Sequence, residues 1–308
     1  MKVLDSTFVF CEGDHDVAYI HLILKHILHA KVENRPDVQA PSPLGDIVRR
    51  ALEKELNGEE NGILRYARQY RMDNHVLFVY KSVGKGQVGR VKELLSRLLR
   101  KVNGDIRHLG INGSANPTES LAVVKCLFVY DRDENTFPEL LKWWRESYCD
   151  IPNYPQWRID RALERSEGNW AAYGDKALYA WSVGNDSSTL EDILIGIVRD
   201  CAGYPVDESI GFTAKQETGW DWAPKTNAPA ARSAAKACRE KAAITISGQN
   251  HRPGRPLTAI IQDCLKKTEK DKDDASKVAK FVEEPHAKEF AAFLAEFVGV
   301  GDRSSNPQ

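Results

Sequence analysis

The sequence predicts an α/β protein with a mostly parallel sheet, helices on both faces, a helical insertion and a C-terminal helical elaboration. Three observations indicate this class. Strand-like and helix-like segments alternate over the first two-thirds of the 308-residue chain. The strands are continuous apolar runs, which is typical of parallel strands covered on both faces. Acidic residues follow two of these strands, at the edge where such sheets bind ligands.

Each predicted strand is a short apolar run that ends at polar or glycine residues. We expect strands at Ser6–Cys11, His75–Tyr80, Leu121–Tyr130 and Ala177–Val183. Between them, apolar residues recur at the three- and four-residue spacing of helices. We expect helices at Val17–His29, Asp46–Leu56, Gly62–Arg71, 90–100, Phe137–Tyr148 and Thr189–Cys201.

The last third of the chain has weaker patterns. Residues 207–226 show no periodicity, whereas residues 229–241 are alanine-rich and predict a helix. The charged run at 267–277 predicts a solvated or disordered segment, and residues 289–298 predict an amphipathic helix. We therefore expect a core at 1–200 with its insertion at about 31–73, a mainly helical elaboration at 201–300 and a tail at 301–308.

The composition limits the classes of function. The net charge of −1 gives no overall attraction to nucleic acid, so such binding would need local basic patches. The six cysteines are scattered without a Cys-x-x-Cys pair, which argues against a disulfide framework and a thiolate zinc site. No apolar run has the length of a membrane span, and the N-terminus lacks a signal-peptide pattern. We therefore expect a cytoplasmic protein without a membrane partner.

Two acidic clusters follow predicted strands that are far apart in the chain. The first strand runs into Glu12, with Asp16 just before the next predicted helix, and the third strand ends at Asp131 and Asp133. Carboxylates at alternate positions of a turn can reach one cation, and Mg²⁺ needs few of them because it keeps several waters. Each acid could instead cap a helix. Together they favour a metal site, because uncompensated acids at adjacent strand ends repel one another.

The segments "FVFCEGDHD" and "CLFVYDRDEN" resemble the two motifs of the Toprim domain. Topoisomerases, bacterial primases and the overcoming-lysogenization-defect (OLD) nucleases share this domain. Its first motif is a hydrophobic strand that ends in Glu-Gly, and its second is a strand that ends in Asp-x-Asp. A second strand and a glycine-rich turn lie between them, and "HVLFVYKSVGKGQVGRVKELL" fits that place. The resemblance extends over residues 3–198 and implies a Toprim-like fold.

The chain is most similar to the OLD nucleases and their stand-alone relatives, which are associated with defence against phage. This resemblance implies a further acid at Glu191 in "GNDSSTLEDIL" and a late lysine, for which Lys241 is the candidate. It implies catalysis by Glu12 and Lys241, with one or two Mg²⁺ or Mn²⁺ ions. The implied metal ligands are Glu12, Asp16, Asp131, Asp133 and Glu191.

The OLD nucleases also carry an ATPase domain, and this chain has no Walker A sequence. The resemblance therefore implies that ATP is either unused or supplied by a separate ATPase subunit as partner, and a homo-oligomer is a further candidate assembly.

Basic residues that could bind DNA or RNA occur after the second strand and in the insertion. One group lies in the glycine-rich turn and the following helix, where backbone amides can also approach a phosphate. Arginines at three-residue spacing in the insertion predict one helical face, with interleaved tyrosines that could stack on bases. A solvated helix face is an equal alternative for that group. The candidates are Lys85, Arg90, Arg97, Arg65 and Arg68.

The sequence thus predicts a metal-dependent nuclease that hydrolyses phosphodiester bonds in DNA or RNA. The alternative is a non-hydrolytic Toprim module that binds nucleic acid or an ATPase and keeps its acids for structure. A phosphoacceptor receiver domain also has acids at strand ends, but it leaves the Asp-x-Asp and the downstream Ser-Ser-Thr-Leu-Glu unexplained.

Overall fold

The structure is a computed structural model, and its described strands form one eight-stranded sheet. The strands are β1 (Asp5–Cys11), β2 (Lys31–Glu33), β3 (Tyr66–Met72), β4 (His75–Lys81), β5 (Val124–Asp131), β6 (Glu164–Glu167), β7 (Trp170–Tyr173) and β8 (Lys176–Trp181). Their order across the sheet is β2-β3-β4-β1-β5-β8-β7-β6. The structure describes residues 5–33, 66–72, 75–82, 85–89, 91–93, 95–96, 99, 124–133, 135–152, 157–160, 162, 164–182, 189–215, 229–249, 251, 253–266 and 274–299.

The helices surround this sheet. They are α1 (Asp14–His26), α2 (Phe137–Ser147), α3 (Leu190–Gly196), α4 (Val206–Lys215), α5 (Pro229–Gln249), α6 (Leu257–Asp263), α7 (Asp274–Val282) and α8 (Pro285–Val298). Lys85–Gln87 forms one 3₁₀ turn after β4, and Ile197–Cys201 continues α3 as a π-helical turn. None of the helices that the structure describes combines the length and apolar character needed to cross a bilayer.

The four central strands, β4, β1, β5 and β8, run parallel, so their carboxyl ends lie at one edge of the sheet. The register pairs Cys11 with Lys81 on one side and with Val129 on the other. Asp131 pairs with Trp181 of β8. The residues that follow these strand ends are therefore neighbours in space.

Alternate side chains of the central strands face two separate hydrophobic layers. Val9, Val79 and Val129 face the layer that contains α1, α3 and α8. Phe10 and Phe128 face the opposite layer, with α2 and the helical residues between 88 and 99. Burying an aromatic or large aliphatic side chain contributes about 1.5–3 kcal/mol, so the continuous apolar strands stabilise both layers. The prediction that helices cover both faces of the sheet is confirmed.

The sheet is mixed rather than mostly parallel, because antiparallel strands flank the parallel centre. On one side, β7 pairs antiparallel with β8 and with β6. This meander was not predicted from the sequence, although its turns carry a recognisable signal. Gly168 and Gly174 lie in the two connections with φ of 53° and 62°, a conformation that glycine adopts without steric cost.

The insertion is not helical where the structure describes it. β2 and β3 pair antiparallel, and β3 also pairs with β4. The helix predicted at 62–71 is therefore wrong over its described residues, and the helix predicted at 46–56 lies outside the described residues. Pairing with β4 satisfies the backbone of β3. It also buries Tyr70 and Met72 on the α1 face at the two-residue spacing of a strand.

The described residues of the C-terminal third are mainly helical, as predicted, but two local predictions are wrong. Helix α4 occupies Val206–Lys215, and all of it after Val206 falls in the segment predicted to lack periodicity. Helix α7 begins at Asp274, inside the run predicted to be solvated or disordered. The proposed division of the chain at residues 200 and 300 stays a prediction.

Candidate metal centre

Predicted site residues from several elements meet at the carboxyl edge of the parallel strands. Glu12 follows β1, Lys85 follows β4, and Asp131 is the last residue of β5. Asp16 and Glu191 lie in the first turns of α1 and α3, which follow β1 and β8 along the chain. Lys241 reaches the same place from α5.

Glu12 and Asp131 are fixed by backbone donors. The Oε1 atom of Glu12 accepts a hydrogen bond from the backbone N–H of Asp131 at 3.0 Å. The Oδ1 atom of Asp131 accepts one from the backbone N–H of Leu190, the first residue of α3, also at 3.0 Å. Each bond uses one lone pair and leaves others on the same carboxylate. The two acids are therefore oriented by the fold rather than by each other.

Asp16 is buried and held at both oxygens. Its Oδ2 atom accepts from the backbone N–H of Gly13 at 2.9 Å, which caps the start of α1. Its Oδ1 atom accepts from the indole N–H of Trp181 at 2.9 Å. The helix-capping alternative is thus realised at Asp16, and the same side chain also belongs to the acidic cluster.

Glu191 is paired with two basic side chains. Its Oε1 atom lies 3.0 Å from the Lys241 ammonium and 3.4 Å from Nδ1 of His15. Burial raises the pKa of Glu191, but the contacts with His15 and Lys241 outweigh that effect and lower it to about 2. Burial lowers the pKa of Lys241, and the charge of Glu191 reverses this, so that the net change is upward. This pair therefore stays ionised at neutral pH.

Lys85 and Asp133 form the opposite side of the cluster. The Lys85 ammonium donates to Oδ2 of Asp133 at 2.6 Å and to the backbone carbonyl of Asp131. It also lies 3.5 Å from Oε1 of Glu12. Asp133 has φ of 52°, a left-handed conformation that aspartate tolerates better than most residues. The turn of "DRD" thus presents both the carbonyl and the carboxylate to one lysine.

The other three acids of the cluster, Asp131, Asp16 and Glu12, have pKa values that burial raises. Burial raises the pKa of Asp131 well above its usual value, and the charges of Asp16 and Glu12 raise it further. Burial and the charge of Glu12 raise the pKa of Asp16 to about 7. Burial also raises the pKa of Glu12, although Lys85 opposes this. At neutral pH the cluster therefore favours a bound proton or a cation.

The donor set fits a hard divalent cation, because it consists of carboxylate oxygens with excess negative charge. Within the described residues, however, no three histidine, cysteine, aspartate or glutamate side chains converge closely enough to hold an ion as they stand. The Lys85 ammonium bridges Glu12 and Asp133 instead. The predicted metal ligands are thus brought together, and their coordination of an ion stays a prediction.

The structure corrects the predicted nucleic-acid surface in the insertion. Arg68 lies on β3 and not on a helix, and its Nη2 atom donates to Oε1 of Gln262 at 2.7 Å. Tyr70 is fully buried and its hydroxyl contacts Nδ1 of His21 at 3.0 Å, so it cannot stack on a base. The single helical face predicted for these arginines is therefore wrong. Arg65, Arg90 and Arg97 lie outside the described residues.

Several side chains at this site were not predicted from the sequence. His15 lies beside Asp16 in the chain, and its position in the first turn of an acidic helix start was the available signal. No local signal pointed to Trp181, because its contact with Asp16 joins residues 165 positions apart. Lys236 of α5 bonds Asp192 at 2.6 Å beside Glu191, so α5 contributes more than Lys241 to this edge.

No family model and no curated protein matches the chain. Among solved structures, the chain is similar to a hypothetical protein from Pyrococcus horikoshii OT3. The two share 15% sequence identity with a TM-score of 0.48, over 96% of this chain and 98% of the other.

Proposed function

We propose that the chain is a divalent-metal-dependent nuclease that hydrolyses phosphodiester bonds in DNA or RNA through a Toprim-like core. One observation carries the proposal. Glu12, Asp16 and Asp131 lie at one sheet edge, where burial and the charges of neighbouring carboxylates raise the pKa of each. Such a cluster costs stability unless a cation compensates it, and sites of this kind concentrate at functional positions.

The strand order supports the Toprim-like part of the proposal. β1, which ends in Glu-Gly, lies between β4 and β5. β4 leads into the turn that carries Lys85, and β5 ends in the Asp-x-Asp of Asp131 and Asp133. The two motifs on which the resemblance depends are therefore adjacent in space, as a shared metal site requires.

Asp131 and Asp133 would hold one ion, with Glu12 as a further ligand or as the general base, and Asp16 and Glu191 would hold a second. When bound, the ions supply an activated water and stabilise charge on the attacking and leaving oxygens.

The chain's own groups prepare this chemistry. The backbone N–H groups of Asp131 and Leu190 fix the carboxylates of Glu12 and Asp131 before any ligand arrives, which lowers the cost of ordering them. A raised pKa suits Glu12 to accept a proton from a water held beside it. The Lys241 ammonium is held at the edge of the cluster by Glu191 and is 40% exposed, so it can face a substrate phosphate.

A non-hydrolytic binding module is the second candidate, and one observation favours it. Lysines already neutralise part of the cluster, since Lys85 holds Asp133 and Lys241 holds Glu191. In such a module these ion pairs would stabilise the sheet edge, and the chain would bind a nucleic acid or a partner ATPase without cleavage.

The distinguishing experiment incubates the protein with plasmid DNA and with end-labelled RNA, in Mg²⁺, Mn²⁺ or EDTA. The proposed function predicts cleavage of one substrate that requires metal and is lost in Asp131→Asn. Asp14→Asn is the control, because Asp14 lies in the first acidic motif, close to Glu12, but pairs with Lys81 at the surface; this variant should cut normally. Cleavage in EDTA, or full activity in Asp131→Asn, would refute the proposal. Metal-independent binding without cleavage would favour the module.

A further inference from the structure

We propose, on the basis of the proposed function, that the Lys85 ammonium is a tethered cation that competes with a divalent ion for Glu12 and Asp133. In this proposal a metal ion enters that side of the site only when Lys85 leaves it. The lysine would then set the affinity of the site for metal, in addition to the phosphate-binding role predicted from the sequence.

The contacts of Lys85 are those of a cation in a coordination site. An ammonium has three N–H donors, and three oxygens from the acidic motifs surround this one. They are Oδ2 of Asp133 at 2.6 Å, the carbonyl oxygen of Asp131, and Oε1 of Glu12 at 3.5 Å. Carboxylate and carbonyl oxygens are also the donors that Mg²⁺ and Mn²⁺ prefer.

Two cations cannot share these oxygens at low cost. The Lys85 side chain is 19% exposed, and like charges a few ångströms apart in a partly buried site repel one another by several kcal/mol. A divalent ion bound by Glu12 and Asp133 would therefore displace the ammonium.

The local backbone permits such a displacement. Lys85 lies in a single 3₁₀ turn. Among the described residues other than chain neighbours, no atom lies within 4 Å of the position that a Cβ would take at Gly86 or Gly89. Lys241 differs in this respect, because it projects from the 21-residue helix α5. Once released, the Lys85 ammonium would remain near the strand ends and could contact a substrate phosphate.

The other nearby lysine provides a matched control. Lys81 ends β4 and pairs with the exposed carboxylate of Asp14 at 2.5 Å. Replacing it removes the same charge close to the site without opening the space between Glu12 and Asp133. It therefore measures the general electrostatic effect of losing one lysine.

The test is calorimetric titration of Mn²⁺ into the metal-free full-length protein. Lys85→Met should bind Mn²⁺ more tightly than the native protein, by at least about five-fold, the lower end of typical coupling between competing ligands. Lys81→Met should change the affinity less. Lys85→Arg retains the charge and should bind Mn²⁺ about as weakly as the native protein, which keeps the test informative if Lys85→Met does not fold.

Unchanged or weaker Mn²⁺ binding in Lys85→Met would overturn the proposal, and so would equal gains in Lys81→Met and Lys85→Met. If Lys85→Met does not fold, tighter binding in Lys85→Arg would overturn it. The outcome is separable from that of the proposed function. If Lys85→Met binds Mn²⁺ more tightly as expected but the native protein cuts no nucleic acid, only the proposed nuclease function is refuted. If no variant binds Mn²⁺, both proposals fail.

Discussion

Replacing Asp16 with Asn separates the charge of a buried carboxylate from its hydrogen bonds. Asp16 is 3% exposed, and its two oxygens accept from Gly13 N and from Trp181 Nε1. Asparagine has one acceptor oxygen, so its amide nitrogen would face one of these donors. Losing that bond and leaving the donor buried should cost about 1–3 kcal/mol at every pH.

The charge of Asp16 acts in the opposite direction. Burial and the charge of Glu12 raise its pKa from the usual 3.8 to about 7. Between these values the folded protein binds more protons than the unfolded chain, so the free energy of unfolding falls as the pH rises through that window. The difference between the two pKa values corresponds to at most about 4 kcal/mol.

We therefore expect the stability difference between Asp16→Asn and the native protein to change sign with pH. The metal-free variant should be less stable by about 1–3 kcal/mol near pH 4, where the native acid is protonated. It should be more stable by a similar amount near pH 8, because the penalty of the buried charge is gone. Urea unfolding in EDTA at several pH values measures this difference.

Asp192→Asn is the matched control, because Asp192 caps α3 as Asp16 caps α1. Asp192 also bonds Lys236, so removing its charge should destabilise the protein near pH 8. A stability difference for Asp16→Asn that stays constant from pH 4 to pH 8 would refute the reasoning about the buried charge.

Three further predictions concern the surroundings of the site. Glu191→Gln should destabilise the protein at pH 7, because its basic partners outweigh burial and lower the pKa of Glu191 from the usual 4.5 to about 2. The loss of stability should shrink as the pH falls through this range, and melting temperatures measured across it test the prediction. Gly248→Ala should cost about 1–3 kcal/mol, because a Cβ there would overlap Ile260. Gly211→Ala, with open space in α4, should instead gain up to about 1 kcal/mol of helix stability, and urea unfolding compares the two. Tyr70→Phe should lower stability by about 1 kcal/mol through its lost hydroxyl contact, yet leave the affinity for a labelled oligonucleotide unchanged; weaker oligonucleotide binding at equal folded fraction would restore Tyr70 as a contact residue.

Local sequence was sufficient for the centre of the sheet. Strands β1, β4, β5 and β8 are apolar along most of their length because both faces are covered, and that pattern is independent of distant partners. The acids at two of these strand ends could be placed together for the same reason, since parallel strands share one carboxyl edge.

The features that could not be predicted from local sequence depend on contacts between distant parts of the chain. The segment "YARQYRM" has helix-like arginine spacing, but pairing with β4 and burial of Tyr70 under α1 make it a strand. Likewise, nothing near Lys85 in the chain indicates that its ammonium would bond Asp133 rather than stay free for a phosphate. Trp181 and Asp16 meet only because β8 and α1 pack together in the folded protein.

The most direct test of the central claim is the position of a bound metal ion in crystals soaked with Mn²⁺. We expect an anomalous scattering peak between the carboxylates of Glu12 and Asp131, with the Lys85 ammonium moved away from Asp133. The peak should be absent from crystals of Asp131→Asn. Two results would contradict this expectation. One is a Mn²⁺ peak elsewhere in protein that cleaves nucleic acid, and the other is strong cleavage in solution by protein whose crystals show no ion at these carboxylates.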